Sequence, residues 1–582
     1  MPAPLSRSDI DFLLYEWLEA ERLTSRERFA DHSRETFDSI MDVAAEMATE
    51  VFAPHNKKAD QNPPHVAADG KVAMIDEVKL AVDEFAKAGL LASSFDESLG
   101  GVQLPMVVTR AAMAWFQAAN PGSSSYSFLT MGNANLLLAH GTEEQIDTWV
   151  RPMLDGRFTG TMCLSEPDVG SSLADITTRA VPAGDGTYRI SGNKMWISGG
   201  DHELTENIVH LVLAKAPGGG PGVKGISLYV VPKKQADGQA NGVSLVSLNH
   251  KMGNRGTTNA LLEFDGATGW LVGEEHRGLE YMFHMMNEAR IGVGFLATSL
   301  GYAGYLASLE YAKTRTQGRD LTAKDPASAP VAIIEHPDVK RMLLAQKSYV
   351  EGALALGLYC SKLVDDAATA PADEAQRASL LLDVLTPIAK AWPSQWCLEA
   401  NNLAIQVHGG YGYTTEFDVE QYYRDNRLNA IHEGTNGIQG LDLLGRKVVM
   451  KGGQGLAVLA QTVGDTVARA REAGGESAEY GTVLAAALQR LTDTTAALWK
   501  DRDPAVALAN SSVYLEAAGH VVVAWIWLEQ LLAAGESTGD LYDGKRAAAR
   551  YFYRFELPKT GPQFDLLASL DRTTLDTDPA WL

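Results

Sequence analysis

The chain has few cysteines, no basic tract and no long uninterrupted apolar run, and each shortage excludes something. Cys163, Cys360 and Cys397 are the only cysteines in 582 residues. They lie far apart, without the spacing of a zinc site or a redox pair, so buried free thiols in a reducing, cytoplasmic compartment are expected. The net charge is −23, and no run of Lys and Arg offsets it, which argues against nucleic acid as a partner. The first residues, MPAPLSRSDIDFLLYEW, carry acidic side chains inside their apolar stretch and do not read as a signal peptide. The most apolar run, Val521 to Leu532, reads as too short to span a bilayer and contains Glu529 and Gln530, so no transmembrane segment is expected. A P-loop, an HExxH and a nucleophile elbow are missing as well. The one GxGxxG, Gly220 to Gly225, is followed by a strand pattern rather than a helix, which is the wrong context for a dinucleotide fingerprint.

What is present is ordinary globular material. Apolar residues make up 46% and charged residues 21%, and the length suggests about three or four domains. Residues 1–157 read as helical, with helical spacing over Arg34 to Val51 and Ile75 to Ala88. From 158 to 276 the texture is strand-like. TYRISGNKMWISGG alternates after an Asp185-Gly186 turn signal, and NIVHLVLAKA and ISLYVVPKK follow, which predicts an antiparallel β domain. Helical period returns over 277–450, where Leu279, Met282, Met286, Val293, Leu296 and Leu300 share one face. A Pro/Ala/Ser loop over 325–330 interrupts it. Gly452, Gly453 and Gly455 mark a hinge before a last Ala-rich helical block, 451–582.

Two segments carry local chemistry. In QVHGGYGYTTEF, Gly409, Gly410 and Gly412 let backbone approach a ligand closely. In IHEGTNGIQGLDLLGRK, Thr435 and Asn436 read as helix-capping residues, with Glu433 just outside the cap. A lone glutamate there would ordinarily be a surface residue. Upstream, CLSEPDVGSS offers small hydroxyls and backbone N–H groups suited to a polar ring or a phosphate. MWISGG sets Trp196 two residues before Ser198, on one face of a regular strand. A stacking ring and a hydroxyl on one face suit a flat heteroaromatic ligand, although a half-buried core tryptophan is the commoner case.

Taken in order, these segments resemble the flavin-dependent acyl-CoA dehydrogenases over roughly residues 35 to 450. GTEEQIDTWVRPMLDGR is similar to the family's helix leading into the β domain, CLSEPDVGSS to its flavin loop and MWISGG to its Trp-Ile-Thr segment. YAKTRTQGR resembles the Arg-containing segment that reaches the neighbouring subunit's flavin. The two C-terminal segments resemble the diphosphate loop and the catalytic Glu-Gly-Thr. The extension resembles that of the longer members, which include very-long-chain and 3-methylmercaptopropionyl-CoA dehydrogenases. The implied fold is α+β: a helical N-terminal domain, a middle antiparallel β domain, a C-terminal helical bundle and an extra helical domain.

The resemblance also implies roles. FAD would be held by Leu164, Ser165, Ser171, Trp196, Ser198, Gln406, Gly409, Gly410 and Thr435, and by Arg315 and Gln317 reaching a partner subunit. Ser171, Asn287, Arg290, Glu433 and Gly434 would meet the acyl-CoA, and Glu433 would be the base. The family's other position for the base falls on Ala289, which cannot take a proton, and Glu288 lies about 100° around the helix from it. Ser198 replaces the usual Thr, His432 the usual Tyr, and Gly318-Arg319 the usual Phe-Gly. The implied reaction is α,β-dehydrogenation of a straight-chain acyl-CoA, with electrons passed to electron-transferring flavoprotein and the chain acting as a homodimer. A 3-methylmercaptopropionyl-CoA substrate and an O2-using acyl-CoA oxidase are the alternatives. A nucleic-acid-associated member is a weaker one, since the extension is not basic, and a plain helical scaffold is a further alternative that failure to carry FAD would favour.

Overall fold

The computed structural model describes residues 3–582 except 323, 324 and 326, so part of the predicted 325–330 loop lies outside the described residues. The chain divides into two compact units.

One unit comprises Asp42–Leu104 and Ala119–Ala289. Its strands are β1 (His65–Val66), β2 (Val72–Ala73), β3 (Phe158–Cys163), β4 (Arg179–Pro182), β5 (Tyr188–Ser198), β6 (Asn207–Lys215), β7 (Ile226–Pro232), β8 (Val243–Leu248) and β9 (Asn259–Leu271). β1 and β2 form a small ladder, and the rest form a seven-stranded sheet in the order β3-β6-β4-β5-β9-β7, with β8 on β9. β7 also pairs with β6, so the sheet curls back on itself. The prediction of a wholly antiparallel domain needs one correction. β3 runs parallel to β6, and β4 touches β6 in parallel at Arg179 and Lys215. The chain leaves β3, makes the loop and the β4–β5 hairpin, and only then enters β6 in the original direction; such a crossover gives parallel neighbours. β6 and β7 are buried almost throughout, as strands covered on both faces must be. β8, at the edge, keeps a more alternating burial pattern. The Gly220 to Gly225 segment is a short turn feeding β7, not a helix start.

The other unit comprises Met1–Met41, Pro105–Ala118 and Arg290–Leu582. Its core is helical, built on Pro337–Thr369, Ala372–His408 and Ser511–Ala534. The last helix corrects the reading of Val521 to Leu532. It runs for 24 residues and is, like Gly278–Thr314, long and apolar enough to cross a membrane, yet 83% and 78% of their most apolar windows are buried within the protein. Trp525, Ile526, Trp527 and Leu528 are buried in the chain's own core. Trp525 Nε1 donates to Thr466 Oγ1 and Trp527 Nε1 to the Ser348 carbonyl. Their apolar surface is therefore satisfied inside one chain. The two chain ends also meet through charge. Buried Lys545 bonds Asp9 and Gln530 and lies 3.0 Å from Glu351, while Tyr302 donates to Asp9. The helical path breaks at Lys451, Gly452 and Gly453, which all have positive φ, whereas Gly455 lies within the helix Gln454–Ala473 that follows.

Candidate active site

The first cluster belongs to the β-rich unit. The loop after β3 is braced from beneath by Glu166, which is 4% exposed. Its carboxylate accepts the backbone N–H and the hydroxyl of both Thr177 and Thr178. Lys194, fully buried in β5, donates to Glu166 at 3.0 Å and to the Leu164 carbonyl at 2.9 Å. Burial pushes the Glu166 carboxyl up, but the lysine and the threonine donors outweigh it and bring it down to about 2. Burial lowers the Lys194 ammonium, and Glu166 opposes that. Among the described residues this is the pair that fixes the loop carrying Leu164 and Ser165, and Ser165 in turn accepts the Met195 N–H. Ser171 lies exposed at the far end of the loop.

Trp196 departs from the simple alternating strand. The register between β5 and β9 slips between Lys194 and Ile197, and Trp196 takes φ +65° at the bulge. A bulge re-aims the side chain it carries, and left-handed backbone is costly for a residue with a Cβ. The ring is 58% exposed, so it is not the half-buried core tryptophan of the bland alternative. Ser198 follows, with its hydroxyl accepting from Asn259 Nδ2 at 3.2 Å. Glu288 accepts from Asn135 Nδ2 through both oxygens. Asn287 is half-buried, with an Oδ1 that has no hydrogen-bond partner among the described residues.

The second cluster belongs to the helical unit. Thr435 caps the helix Asn436–Asp442, accepting the Ile438 N–H at 3.3 Å; Asn436 is the first helical residue rather than the cap. Just before the cap, Glu433 and Gly434 are both left-handed, with φ of +55° and +88°. The turn is held through its carbonyls. Buried Gln439 reaches back, its Nε2 donating to Glu433 O at 3.0 Å and Gly434 O at 3.2 Å. Lys390 Nζ donates to Gly434 O at 2.7 Å. Among the described residues neither the Glu433 N–H nor the Gly434 N–H has an acceptor. Burial pushes the Glu433 carboxyl up, and Lys390 and Arg290 oppose it, leaving it at about 7. His432 is pushed down to about 3 by burial and by Lys390, hence neutral, with Nε2 facing Asn429 Oδ1. Behind it runs a buried ladder of amides, Asn429 to Asn426 to Asn401, ending on the Leu300 carbonyl.

Arg290 is 4% exposed and pairs with Asp442 at 3.0 Å. The guanidinium expected at the CoA moiety is thus committed to a buried carboxylate, and it acts on Glu433 through space. The remaining expected residues share an open face of the same unit. Gln406, Gly409, Gly410, Arg315 and Gln317 are exposed. A Cβ on Gly409 or Gly410 would meet nothing within 4 Å, so the backbone there is open to close approach. Arg315 lies over the Tyr411 ring at 5.7 Å. Its strand-like stretch is pinned by Gln317 N–H to Val331 O and Ile333 N–H to Arg315 O.

Sequence reasoning missed Lys194, Glu166, Lys390, Gln439 and the asparagine ladder. A signal existed for the lysines. Lys194 falls at an inward position of an alternating strand, and Lys390 interrupts the apolar run Leu385 to Trp392. Among the described residues no cluster of side chains could hold a metal ion, and all three cysteines are free and buried.

Family models match nearly the whole chain in order. The acyl-CoA dehydrogenase N-terminal domain covers residues 34–157, the middle domain 161–267, the C-terminal domain 276–448, and the acetyl-CoA dehydrogenase C-terminal-like domain 459–578. The chain is 38% identical to the 3-methylmercaptopropionyl-CoA dehydrogenase of Ruegeria pomeroyi, over 80% of this chain and 81% of that protein. It is 34% identical to the broad-specificity linear acyl-CoA dehydrogenase FadE5 of Mycobacterium tuberculosis, over 98% of each. Its fold is similar to an acyl-CoA dehydrogenase from Bacillus anthracis complexed with FAD, with a TM-score of 0.74 at 20% identity, covering 98% of this chain and 95% of that one. The chain belongs to the FAD-dependent acyl-CoA dehydrogenases.

Proposed function

We propose that the chain oxidises straight-chain acyl-CoA thioesters to trans-2-enoyl-CoA, with Glu433 as the base that takes the α proton. What carries this reading is the Glu433 turn: a carboxyl held by desolvation near neutrality, on a strained left-handed backbone whose carbonyls are engaged from within. A carboxylate tuned toward working pH is what proton abstraction from a weak carbon acid calls for. The unpaired N–H of Glu433 is a donor suited to the thioester carbonyl as enolate character develops. Ala289 offers no second base, and Glu288 is bonded to Asn135.

The residues present suit FAD. Exposed Trp196 with Ser198 would hold the ring system, joined by Leu164, Ser165 and Ser171 from the braced loop. Gln406, Gly409, Gly410 and Thr435 would meet the diphosphate and adenosine portion, and Arg315 with Gln317 would serve a second copy's cofactor in a homodimer. Bound FAD would supply the acceptor for the β hydride. The chain's own task is then to remove the α proton while the Cα=Cβ bond forms and to hold the thioester carbonyl. Asn287, Ser171 and Gly434 remain assigned to the acyl-CoA. Arg290 is reassigned, from contacting CoA to setting the field at Glu433.

Similarity to a linear acyl-CoA dehydrogenase over 98% of the chain supports a linear substrate. The 38% identity to a 3-methylmercaptopropionyl-CoA dehydrogenase supports that thioester as the second reading, since its thioether fills a space similar to a short alkyl chain. Electron-transferring flavoprotein is the proposed acceptor, and peroxide formed in air without an added acceptor would favour an oxidase instead. The test of the base is Glu433→Gln. The holoenzyme is expected to keep FAD and bind acyl-CoA while anaerobic single-turnover flavin reduction falls by at least about 10²-fold. Reduction within a few-fold of wild type would remove Glu433 as the base.

A further inference from the structure

Lys390 lies in the helix Ala372–His408 between Pro387 and Pro393, and its side chain is fully buried. An ammonium this deep normally faces a carboxylate, as Lys194 does. Lys390 instead has one hydrogen bond, to the Gly434 carbonyl at 2.7 Å, and forms no ion pair among the described residues. That carbonyl belongs to the residue after the proposed base. We infer that Lys390 is the positioning residue of this site: it locks the left-handed Glu433–Gly434 turn from inside the bundle and supplies the positive field that keeps a desolvated Glu433 ionised. The inference rests on the reading of Glu433 as the base.

Geometry gives the first half of the argument. Two successive left-handed residues are not a conformation that Glu433 would hold unaided. The Glu433 and Gly434 carbonyls are the handles by which the turn is held, and among the described residues only Gln439 and Lys390 reach them. With those carbonyls turned inward, the peptide planes are fixed. Gln439 comes from the helix that the turn itself begins and holds the turn locally. Lys390 comes from a different helix, 44 residues away, and ties the turn to that helix directly.

Charge gives the second half. The ionisable groups that act on Glu433 are Lys390 and Arg290; His432 on its own loop is neutral. Arg290 is paired at close range with Asp442, a carboxylate it shares with Arg446. Lys390 has no carboxylate at ion-pair distance among the described residues. Burial alone favours the protonated carboxyl, and Lys390 is the first of the opposing influences. The effect is mutual, since Glu433 opposes the desolvation that brings Lys390 down to about 7.

The test separates the two roles. Lys390→Gln keeps a neutral donor for the Gly434 carbonyl but removes the charge; Lys390→Met removes both; Lys390→Arg keeps the charge. The readouts on FAD-loaded holoenzyme are the pH profile of kcat/KM and the plateau rate of flavin reduction. Both uncharged variants are expected to move the acid limb upward by about one pH unit or more, the size of a nearby-charge effect. Lys390→Met is expected to lower the plateau further than Lys390→Gln, and Lys390→Arg to keep the limb within about 0.3 unit of wild type. An acid limb unmoved in both uncharged variants would overturn the inference. If Lys390→Met does not fold, Lys390→Gln alone decides the field and Lys390→Arg checks it. The outcomes remain distinguishable from failure of the base itself. An inactive Glu433→Gln with an unmoved Lys390→Gln profile rejects only the role of Lys390, whereas an active Glu433→Gln rejects the base.

Discussion

Lys194 and Lys390 are both fully buried, each beneath a loop that carries residues proposed for the site, yet their surroundings differ. Lys194 lies 3.0 Å from Glu166, and that carboxylate also collects four threonine donors. Lys390 has a backbone carbonyl and, farther off, a carboxyl at about 7. In the first case the ion pair is complete, and the acid is driven to about 2, far from any pH at which it could exchange a proton usefully. In the second the pair is left incomplete, and both members sit near neutrality. The difference is that between a brace and the proposed base. Completing a buried pair fixes a loop, whereas withholding the close contact leaves a carboxyl able to exchange a proton near neutrality.

The two acids therefore respond to pH with opposite signs. The folded-state pKa of Glu166 is depressed below the ordinary 4.5, so its contribution to stability is present above about 4.5 and is lost as pH falls toward about 2. That of Glu433 is raised, so the folded state loses stability as pH rises from about 4.5 through about 7, when the half-buried carboxyl must ionise.

The comparison can be broken first at the brace. Glu166→Gln strands a buried ammonium and is expected to destabilise the protein by about 3–5 kcal/mol, the range seen when one partner of a buried pair is removed. The denaturant midpoint reads this, and FAD should be lost more readily because Leu164 and Ser165 ride on the braced loop. A variant as stable as wild type would show that Glu166 and Lys194 are not coupled to folding. A smaller effect is expected at the exposed face. Arg315→Ala should weaken FAD retention by about 1.5–3 kcal/mol, the value of one charge-assisted bond, while leaving single-turnover reduction of the FAD that stays bound little changed. Stoichiometric FAD after dilution and gel filtration would contradict the assignment of Arg315.

Much of the site could be read from the chain because its residues are close in sequence. Glu433 and Thr435 share one turn, and the cap at Thr435 follows from local chemistry alone. The alternating texture of Tyr188 to Ser198 gave the strand but not the bulge, since the slip is set by pairing with β9, some 65 residues on. The supports were hidden for the same reason. Lys390 reaches Gly434 across 44 residues, and Asn401 reaches the Leu300 carbonyl across 101. In sequence each is one polar residue in an apolar helix. The apolar character of Trp525 to Leu528 calls for burial but does not say against what. The residues that cover them, such as Ser348, Gly352 and Thr466, carry no mark of the contact.

The account's central claim is that desolvation holds the proposed base near neutrality, and the wild-type pH profile tests it most directly. kcat/KM for a linear acyl-CoA, followed from about pH 5 to about pH 9, reports the ionisation of the free enzyme's base. The account predicts a tenfold rise per pH unit that levels off at an apparent pKa of about 7. A limb at the ordinary carboxylate value of 4.5, or a flat profile across the range, would contradict it.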